Sequence, residues 1–360
     1  PAGTTRFAPP RPGPAVPARI KLFSASCIEL SGSVVIEGDV RLALARLPDA
    51  CVQCVVTSPP YWGLRDYGIP GQIGLEGTLA GYLGTLTGVF ADVRRILRPD
   101  GVLWLNLGDG YTSGNRGWRA PDKKNPNRAM NVRPDNPPGL KDKDLLGVPW
   151  RLAFALQADG WFLRSDIIWH KPNAMPESVK DRPTRAHEYL FMFSRQEDYT
   201  YFPEAVMEAA EKGARRNRRT VWSINTRASG SGHIASFPED LVIPCLLAST
   251  RPGDFVLDPF FGCGTVGKAC ESLDRRYVGI ELNPRYVEEA LEELGRQPSF
   301  GWSGHGDAAG FPEVNGHPAA LRDAPVPARR GAGDVPPALS AGGAPRRRRP
   351  ARPAPAQRPA

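Results

Sequence analysis

Two short stretches of the chain combine residues whose chemistry suits a ligand pocket. The first is Thr57-Ser58-Pro59-Pro60-Tyr61-Trp62, which follows the apolar run Val52 to Val56, a pattern that predicts a buried strand. Two prolines must end that strand, and open parallel sheets bind ligands at the carboxyl edge. Such a site suits a flat group with an amino donor, because oxygens accept its N–H bonds while Tyr61 covers its face. A plain Pro-Pro turn beside a core aromatic explains these residues alone equally well.

The second stretch spans residues 255 to 281. A strand ends at Asp258, Gly262-Cys263-Gly264 allows a tight backbone turn, a helix follows, and the next strand ends in Glu281. The glycines match G-x-G-x-x-G, and the acid nineteen positions after the first glycine can bind ribose hydroxyls. Alone, this pattern admits a dinucleotide as readily as an adenosyl ligand.

The residues before the glycine turn favour the adenosyl ligand. Asp258-Pro259-Phe260-Phe261 brings a carboxylate and bulky rings to the turn, which suits a cationic amino-acid group better than a pyrophosphate that prefers bare amides. The unit also lies late in the chain, whereas a dehydrogenase more often begins with it. Asp258 as a simple turn or cap residue is the alternative.

Apolar spacing and turn residues predict the elements that position these stretches. The predicted strands are Ser33 to Glu37, Val52 to Val56, Gly101 to Leu107, Trp161 to Trp169, Glu188 to Phe193, Phe255 to Asp258 and Tyr277 to Glu281. The predicted helices are Val40 to Leu47, 79 to 97, 147 to 158, Pro238 to Ser249, Thr265 to Ser272 and Pro284 to Leu294. Arg98-Pro99-Asp100-Gly101 predicts a turn. Strands alternating with helices indicate an α/β fold with a doubly wound, mostly parallel sheet.

The net charge of +8 is concentrated at the two ends of the chain. Residues 296 to 360 contribute +6 and residues 1 to 21 contribute +4, which leaves about −2 for residues 22 to 295. Global basicity therefore does not argue that the folded part binds nucleic acid. Both ends are rich in Pro, Ala and Gly, a composition typical of disorder.

Two internal polar segments are the candidates for contact with a polyanion. The predicted loop 108 to 144 has eight Lys or Arg against four Asp between residues 116 and 144. In the segment 195 to 232, Arg215, Arg216, Arg218 and Arg219 stand beside Val221-Trp222. This pattern predicts phosphate contact, with a solvated surface as the alternative.

The six cysteines and the hydropathy indicate the cellular setting. Cys51 and Cys54 form a C-x-x-C, but no second pair or histidine cluster follows at metal spacing, so we expect core cysteines and no metal site. No apolar run of membrane-spanning length and no secretory signal is present. These features predict a cytoplasmic protein without membrane contact.

Together the two stretches resemble the amino-group DNA methyltransferases of the β arrangement. Ser58-Pro59-Pro60-Tyr61 is similar to the catalytic motif of that family, and Asp258-Pro259-Phe260-Phe261-Gly262-Cys263-Gly264-Thr265 to its S-adenosylmethionine motif. The order is the family's, with the catalytic motif first and the target-recognition region between. The resemblance covers about residues 33 to 295 and implies a Rossmann-like methyltransferase sheet with circularly permuted motifs.

The resemblance also implies roles for individual residues. The implied catalytic residues are Ser58, Pro59, Pro60 and Tyr61, and the implied cofactor-binding residues are Asp39, His233, Phe237, Asp258, Phe260, Gly262, Gly264, Thr265 and Glu281. Asp39 would reach the adenine amino group, Glu281 would hold the ribose, and His233 to Phe237 would lie beside the methionine part. Members with Ser first in the motif commonly methylate the N4 amine of cytosine, and members with Asp commonly methylate adenine. Ser58 therefore favours cytosine in double-stranded DNA and leaves N6 of adenine open.

The sequence thus predicts five regions. They are a disordered N-terminus at 1 to 20, a catalytic half at 21 to 195, a target-recognition segment at 196 to 232, a cofactor half at 233 to 295 and a disordered tail at 296 to 360. A cognate restriction endonuclease stays open as a partner. The competing interpretations are an RNA or protein methyltransferase, a nicotinamide-dependent oxidoreductase and a non-catalytic DNA-binding protein. The last two leave the Ser58 stretch without a role.

Overall fold

The computed structural model describes residues 17–21, 28, 30–112, 135–226 and 237–295. In these ranges the strands are β1 (Ala18–Lys21), β2 (Val34–Glu37), β3 (Val52–Thr57), β4 (Leu97–Leu107), β5 (Phe162–His170), β6 (His187–Ser194), β7 (Glu208–Ala209), β8 (Arg215–Arg216), β9 (Val221–Ser223), β10 (Phe255–Asp258) and β11 (Arg276–Glu281). The helices are α1 (Val40–Leu44), α2 (Leu79–Ile96), α3 (Val148–Ala158), α4 (Glu239–Ser249), α5 (Thr265–Ser272) and α6 (Pro284–Gly295). Within these ranges no helix is long and apolar enough to cross a membrane.

Nine strands form one sheet in the order β1-β2-β11-β10-β3-β4-β6-β5-β9. Every neighbouring pair is parallel except the two pairs made by β6, which runs antiparallel to β4 and β5. Strands from both ends of the chain meet in the middle, because β2 lies beside β11 and β10 lies beside β3. This topology confirms the predicted doubly wound, mostly parallel sheet with its late strands placed at the centre.

Alternating side chains on the sheet build one apolar core on each face. On one face, Val55 and Leu103 pack with helices α1, α2 and α3. On the other face, Val56 and Trp104 pack with α4, α5 and α6. Strand β3 is buried along its whole length, as expected for a central strand covered by helices on both sides.

One predicted turn proved to be a bulge within a strand. Strand β4 runs from Leu97 to Leu107 without a break, although Arg98-Pro99-Asp100-Gly101 predicted a turn before the strand. The pairing jumps from Val52↔Leu97 to Cys54↔Val102, so the four residues bulge out while the strand continues. The turn signal was local, whereas the strand is held by its long-range pairing with β3.

The N-terminal prediction was wrong for its last residues. Residues 1 to 20 were predicted to be disordered, but Ala18–Lys21 forms β1 at the sheet edge, with Ala18 paired to Val34. Arg19 donates to Glu37 on the neighbouring strand, and this charged contact holds the short edge strand. Residues 1 to 16 and the predicted tail at 296 to 360 lie outside the described residues.

Candidate active site

A cavity of about 1210 Å³ lies at the carboxyl edge of the central strands. The following predicted site residues line it: Asp39, Ser58, Pro59, Pro60, Tyr61, Phe237, Asp258, Phe260, Gly262, Thr265 and Glu281. They meet because β2, β11, β10 and β3 are adjacent and parallel, so their carboxyl ends share one edge. Both sequence stretches therefore open into a single cavity.

His233, another predicted site residue, falls outside the described residues. Gly264 does not line the cavity; it adopts a left-handed φ of 85° as the N-cap of α5, and a Cβ there would lie 3.2 Å from Ala290. Gly264 is therefore a turn residue that packs closely against α6.

A hydrogen bond from α2 holds the Pro-Pro turn. Strand β3 ends at Thr57, and the hydroxyl of the buried Tyr82 donates to the carbonyl oxygen of Pro60 at 2.8 Å. The amide of Gly63 donates to the carbonyl of Gly74 at 2.9 Å and closes the following loop. The carbonyl of Pro60 is thus occupied, while the carbonyl of Pro59 accepts no hydrogen bond from the described residues.

The hydroxyl of Tyr61 is anchored by a carboxylate that sequence reasoning missed. Tyr61 Oη donates to Glu188 Oε2 at 2.9 Å, and Asn106 Oδ1 lies 3.4 Å from the same hydroxyl. Glu188 in turn pairs with Lys171 Nζ, which lies 4.1 Å from the centroid of the Trp169 ring. The Tyr61 ring is therefore held in one orientation at the cavity wall.

This chain of groups fixes the direction of its O–H bonds. The Glu188 carboxylate can only accept, so Tyr61 donates its one proton there and offers its oxygen to Ser58. Ser58 Oγ lies 3.4 Å from Tyr61 Oη as the donor. A Ser58 hydroxyl that donates along this long contact keeps its lone pairs for an N–H donor in the cavity, which Ser58 lines.

Burial keeps the Tyr61 hydroxyl protonated. The pKa of Tyr61 lies well above its usual value, mainly because burial disfavours the phenolate and secondly because the Glu188 charge is near. Tyr61 therefore acts in this cavity as a neutral hydrogen-bond donor and an aromatic surface, and not as a base.

A buried hydrogen bond joins the two sequence stretches. Thr57 Oγ1 donates to Asp258 Oδ1 at 2.7 Å, and the amide of Phe260 donates to the same oxygen at 3.0 Å. Burial raises the pKa of Asp258 to about 7, against the lowering effect of these donors. The Asp258 carboxyl is thus hydrogen bonded to Thr57, the residue before Ser58, and it titrates near neutral pH.

Glu281 closes the glycine turn. Its Oε2 accepts from the amide of Gly262 at 2.8 Å and its Oε1 accepts from the amide of Asn283 at 2.8 Å. Burial raises the pKa of Glu281, and these amides oppose the rise. Each oxygen keeps a lone pair for a further donor, so the carboxylate can take two hydroxyl groups from the cavity side.

The two phenylalanines of the turn face different surroundings. Phe261 is buried, and Gly279 makes room for it, because a Cβ on Gly279 would lie 2.4 Å from the Phe261 ring. Both residues line the cavity, but Phe260 is only partly buried, so its ring is the more accessible of the two. Phe261 therefore fixes the turn from below, while Phe260 offers a ring to a ligand.

Asp39 follows β2 and lines the cavity as the N-cap of α1. Its Oδ1 accepts from the amide of Arg41 at 2.8 Å, and the Arg41 guanidinium pairs with both carboxylate oxygens. Burial alone would raise the pKa of Asp39, but the hydrogen bonds and charge of Arg41 outweigh it and lower the pKa. Asp39 is therefore a charged acceptor at the cavity wall.

The predicted arginines do not line the cavity. Arg216 and Arg219 both pair with Glu208 at 2.8 Å, and the Arg218 guanidinium lies 4.2 Å from the Trp222 ring centroid. The partner acid precedes the basic run by several residues, so the local charge count missed it. The surface is less positive than its sequence indicates.

Asn106, Glu188 and Lys171 are cavity residues that the sequence pattern did not single out. Asn106 is a buried polar residue in the otherwise apolar end of β4, a signal that was visible in the sequence. Glu188 stands at the start of β6, and only the antiparallel direction of β6 brings a strand start to this edge. Lys171 begins the loop between β5 and β6.

Metal ligation has no support in this region. Among the described residues, no group of three or more His, Cys, Asp or Glu side chains is arranged to hold a metal ion. Cys54 is buried, accepts from Ser249 Oγ at 3.3 Å, and burial raises its pKa to about 12. Cys54 is therefore a core residue, as predicted from its strand position.

Comparison with known proteins matches most of the chain to one family. A family model described as DNA methylase matches residues 52–292. Type II methyltransferase M.Cfr9I of Citrobacter freundii is 62% identical over 274 residues, which make up 76% of this chain and 91% of that protein. Type II methyltransferase M.XycI of Xanthomonas campestris pv. cyanopsidis is 63% identical over 270 residues, 75% of this chain and 90% of that protein.

Solved structures share the fold. The cytosine-N4-specific PvuII DNA methyltransferase aligns with a TM-score of 0.57 and 20% identity over 79% of this chain and 90% of that one. A putative DNA modification methylase of Thermus thermophilus, in complex with S-adenosyl-L-methionine, aligns with a TM-score of 0.52 and 26% identity over 74% of this chain and 95% of that one. The chain belongs to the DNA methylase family of β-arrangement amino-group methyltransferases, which use S-adenosylmethionine as methyl donor.

Proposed function

We propose that this protein transfers a methyl group from S-adenosylmethionine to the exocyclic N4 amine of cytosine in duplex DNA. The observation that carries the proposal is the Ser58–Tyr61–Glu188 chain, which leaves a neutral hydroxyl acceptor open toward the cavity shared with the glycine turn. The target amine lies inside the duplex, so the base must be extruded, which costs a few kcal/mol of unstacking. The Type II names of the relatives support a restriction-modification setting.

The cofactor side of the cavity fits an adenosyl ligand. Glu281 would hold the two ribose hydroxyls, because both of its oxygens keep lone pairs after binding the turn amides. Asp39 would accept from the adenine amino group, and Asp258 and Phe260 would lie beside the cationic amino-acid part. The volume of about 1210 Å³ exceeds a typical single-ligand pocket of roughly 300–1,000 Å³ and leaves room for a base as well. The bound cofactor supplies the electrophilic methyl group.

The target side orients the base and accepts its protons. Ser58 Oγ and the Pro59 carbonyl would accept the two N–H bonds of the amine, and Tyr61 would stack on the ring. These acceptors direct the nitrogen lone pair toward the methyl group and stabilise the positive charge that develops on nitrogen. Ser58 is too weak a base to remove a proton first, so the N–C bond would form as the methyl–sulfur bond of the donor breaks, and the surplus proton on nitrogen would then pass to water.

Cytosine is proposed over adenine because of Ser58. In this family Ser at the first position of the tetrapeptide commonly accompanies cytosine methylation, whereas Asp accompanies adenine methylation. The family includes both N4 and N6 enzymes, so the base is a proposal that product analysis decides.

Phosphate contact by Arg215, Arg216, Arg218 and Arg219 is part of the proposal. Arg216 and Arg219 share Glu208, which offsets part of their charge. Arg215 is exposed, and within the part of the chain that the structure describes its side chain makes one hydrogen bond, a long one of 3.5 Å to the carbonyl of Met207. Arg215 is therefore the member of the group with the most charge available to a phosphate, and it would position the duplex without reading its sequence.

Gly108→Ala tests whether the Tyr61 orientation matters. A Cβ at position 108 would lie 2.7 Å from Tyr61 Cε2 and 3.3 Å from Glu188 Cγ, so the ring must move. We expect the single-turnover methylation rate to fall about 10- to 100-fold, since a small misplacement is costly, with cofactor affinity unchanged. Gly84→Ala is the control, because nothing lies within 4 Å of that position on α2. Equal rates for Gly108→Ala and wild type would contradict the role.

Cofactor affinity should depend on pH through Asp258. Burial raises the pKa of Asp258 to about 7, so the carboxyl is mostly protonated below pH 7 and charged above it. A cationic ligand favours the charged form, so affinity should rise by up to about tenfold per pH unit below 7 and level off above it. Calorimetric titration with S-adenosylmethionine from about pH 5.5 to 8.5 measures this. Asp258→Asn should bind more weakly above neutral pH and lose that slope; an unchanged slope would refute the assignment.

One experiment tests the substrate class. The purified protein is incubated with S-adenosylmethionine carrying a labelled methyl group and with duplex DNA, RNA or protein in separate reactions. The proposal predicts label in DNA alone. Label in RNA or protein, with none in DNA, would overturn it.

A further inference from the structure

The loop at residues 172–186 forms a wall of the cavity that the catalytic proposal does not use. It connects β5 to β6, and its neck is closed by the amide of Lys171, which donates to the carbonyl of Ala186 at 2.8 Å. Six consecutive residues of this loop, 173 to 178, line the cavity. The loop therefore stands at the mouth through which a base would enter.

Hydrogen bonds at the start of the loop hold it in place. Asn173 Nδ2 donates to the carbonyl of Thr226 at 2.9 Å, and Asn173 Oδ1 accepts from the Thr226 amide at 2.8 Å and from its hydroxyl at 3.2 Å. The amide of Ala174 donates back to the carbonyl of Lys171 at 3.0 Å. The backbone before Met175 is thus already arranged before any partner binds.

An ion pair, a cation–π contact and a hydrogen bond hold the second half of the loop. Arg182 donates to Glu177 Oε2 at 2.6 Å, and its guanidinium lies 3.9 Å from the centroid of the Tyr111 ring. Arg185 donates to the carbonyl of Asp109. The Glu177 carboxylate is therefore neutralised by Arg182 within the protein and does not present a bare negative charge to a phosphate backbone.

Between these two anchors, the side chain of Met175 points away from the core. It is 76% exposed, the largest value among the exposed large hydrophobic residues in the described ranges. Its neighbours Ala174 and Pro176 are apolar, and all three line the cavity. A long apolar side chain on a braced loop at a pocket mouth has the features of the wedges that proteins insert between base steps.

We propose that Met175 enters the base stack of the duplex and fills the space vacated by the extruded base. This inference rests on the proposed function, because only an enzyme that extrudes its target leaves such a space. An empty position in the stack exposes the faces of the neighbouring bases, and a flexible apolar side chain covers them. Met175 thereby shifts the base equilibrium toward the extruded form without contacting the reacting atoms.

The test compares Met175→Ala with Phe154→Ala. Phe154 on α3 is also an exposed large hydrophobic residue, at 56%, and does not line the cavity. The modified sequence is first mapped on bacterial genomic DNA methylated by the wild-type protein. Single-turnover rates are then measured on a duplex oligonucleotide with that site and on the target strand alone, with cofactor affinity measured for each variant.

We expect Met175→Ala to slow methylation of the duplex about tenfold, and to leave the single strand and cofactor affinity unchanged, since a single strand has no stacked gap to fill. Met175→Leu should restore most of the duplex rate, and Phe154→Ala should match wild type. Wild-type rates on the duplex for Met175→Ala, or an equal loss on both substrates, would overturn the wedge. Failure of the wild type to methylate DNA at all would instead refute the proposed function.

Discussion

Ser58→Ala should reduce the single-turnover methylation rate by about 10²- to 10³-fold while S-adenosylmethionine binds as in wild type. Ser58 lines the cavity, and its hydroxyl contacts Tyr61 Oη at 3.4 Å as a donor, so its lone pairs can accept from the cavity side. Removing them deletes an acceptor that orients the amine and stabilises the charge that develops on it, and the loss of one such group typically has this size. Rapid-quench measurements with saturating DNA isolate the chemical step.

Controls separate this effect from misfolding. Ser272→Ala removes the hydroxyl of an exposed serine on α5 that bonds only the carbonyl of Ala269 among the described residues, and should keep the wild-type rate. If Glu188 acts through Tyr61, then Glu188→Gln and Tyr61→Phe should each slow the reaction, and the double variant should be no slower than the slower single one. A Ser58→Ala enzyme with a wild-type rate, or strictly additive losses at Tyr61 and Glu188, would contradict the account.

Glu281→Gln should weaken S-adenosylmethionine binding about 100-fold, the second large effect. The carboxylate would accept two ribose hydroxyls, and a hydrogen bond to a charged group contributes about 1.5–3 kcal/mol, so halving the acceptor capacity loses roughly 3 kcal/mol. The amide group of Gln has one acceptor oxygen, so it also cannot hold both the Gly262 and Asn283 amides as Glu281 does. Equilibrium dialysis with labelled cofactor measures the change.

Glu288→Gln is the matched control for the cofactor site. Glu288 lies on α6, its side chain is 63% exposed, and its contact to Arg19 is long at 3.9 Å. Its substitution should leave cofactor affinity unchanged. Weakened binding in both variants would indicate a general loss of the fold near α6, and wild-type affinity in Glu281→Gln would refute the ribose role.

Local sequence patterns were enough to predict the strands and the site residues that follow them. Ser58 and Tyr61 follow a fully buried strand, and Asp258 and Glu281 each end another, so a period of hydrophobicity and a turn signal were enough to assign all four to one edge. Their meeting in one cavity follows from the strand order, in which β2, β11, β10 and β3 are neighbours. This adjacency fits the circularly permuted motif order that the resemblance implied.

What escaped prediction depends on pairing across long stretches of chain. Glu188 reaches the cavity because β6 runs antiparallel, and nothing in its own sequence neighbourhood states a direction. Strand β9 was missed because three residues carry too little periodicity, and it pairs with β5, which lies far earlier in the chain. The Arg216 and Arg219 charges were overestimated because Glu208 lies across a turn from them.

The most direct test of the central claim is the identity of the methylated nucleoside. Unmodified bacterial genomic DNA is treated with the protein and S-adenosylmethionine, digested to nucleosides and analysed by mass spectrometry against synthetic standards. The account predicts N4-methylcytosine in the wild-type reaction and its loss with Ser58→Ala. N6-methyladenine as the sole product would contradict it.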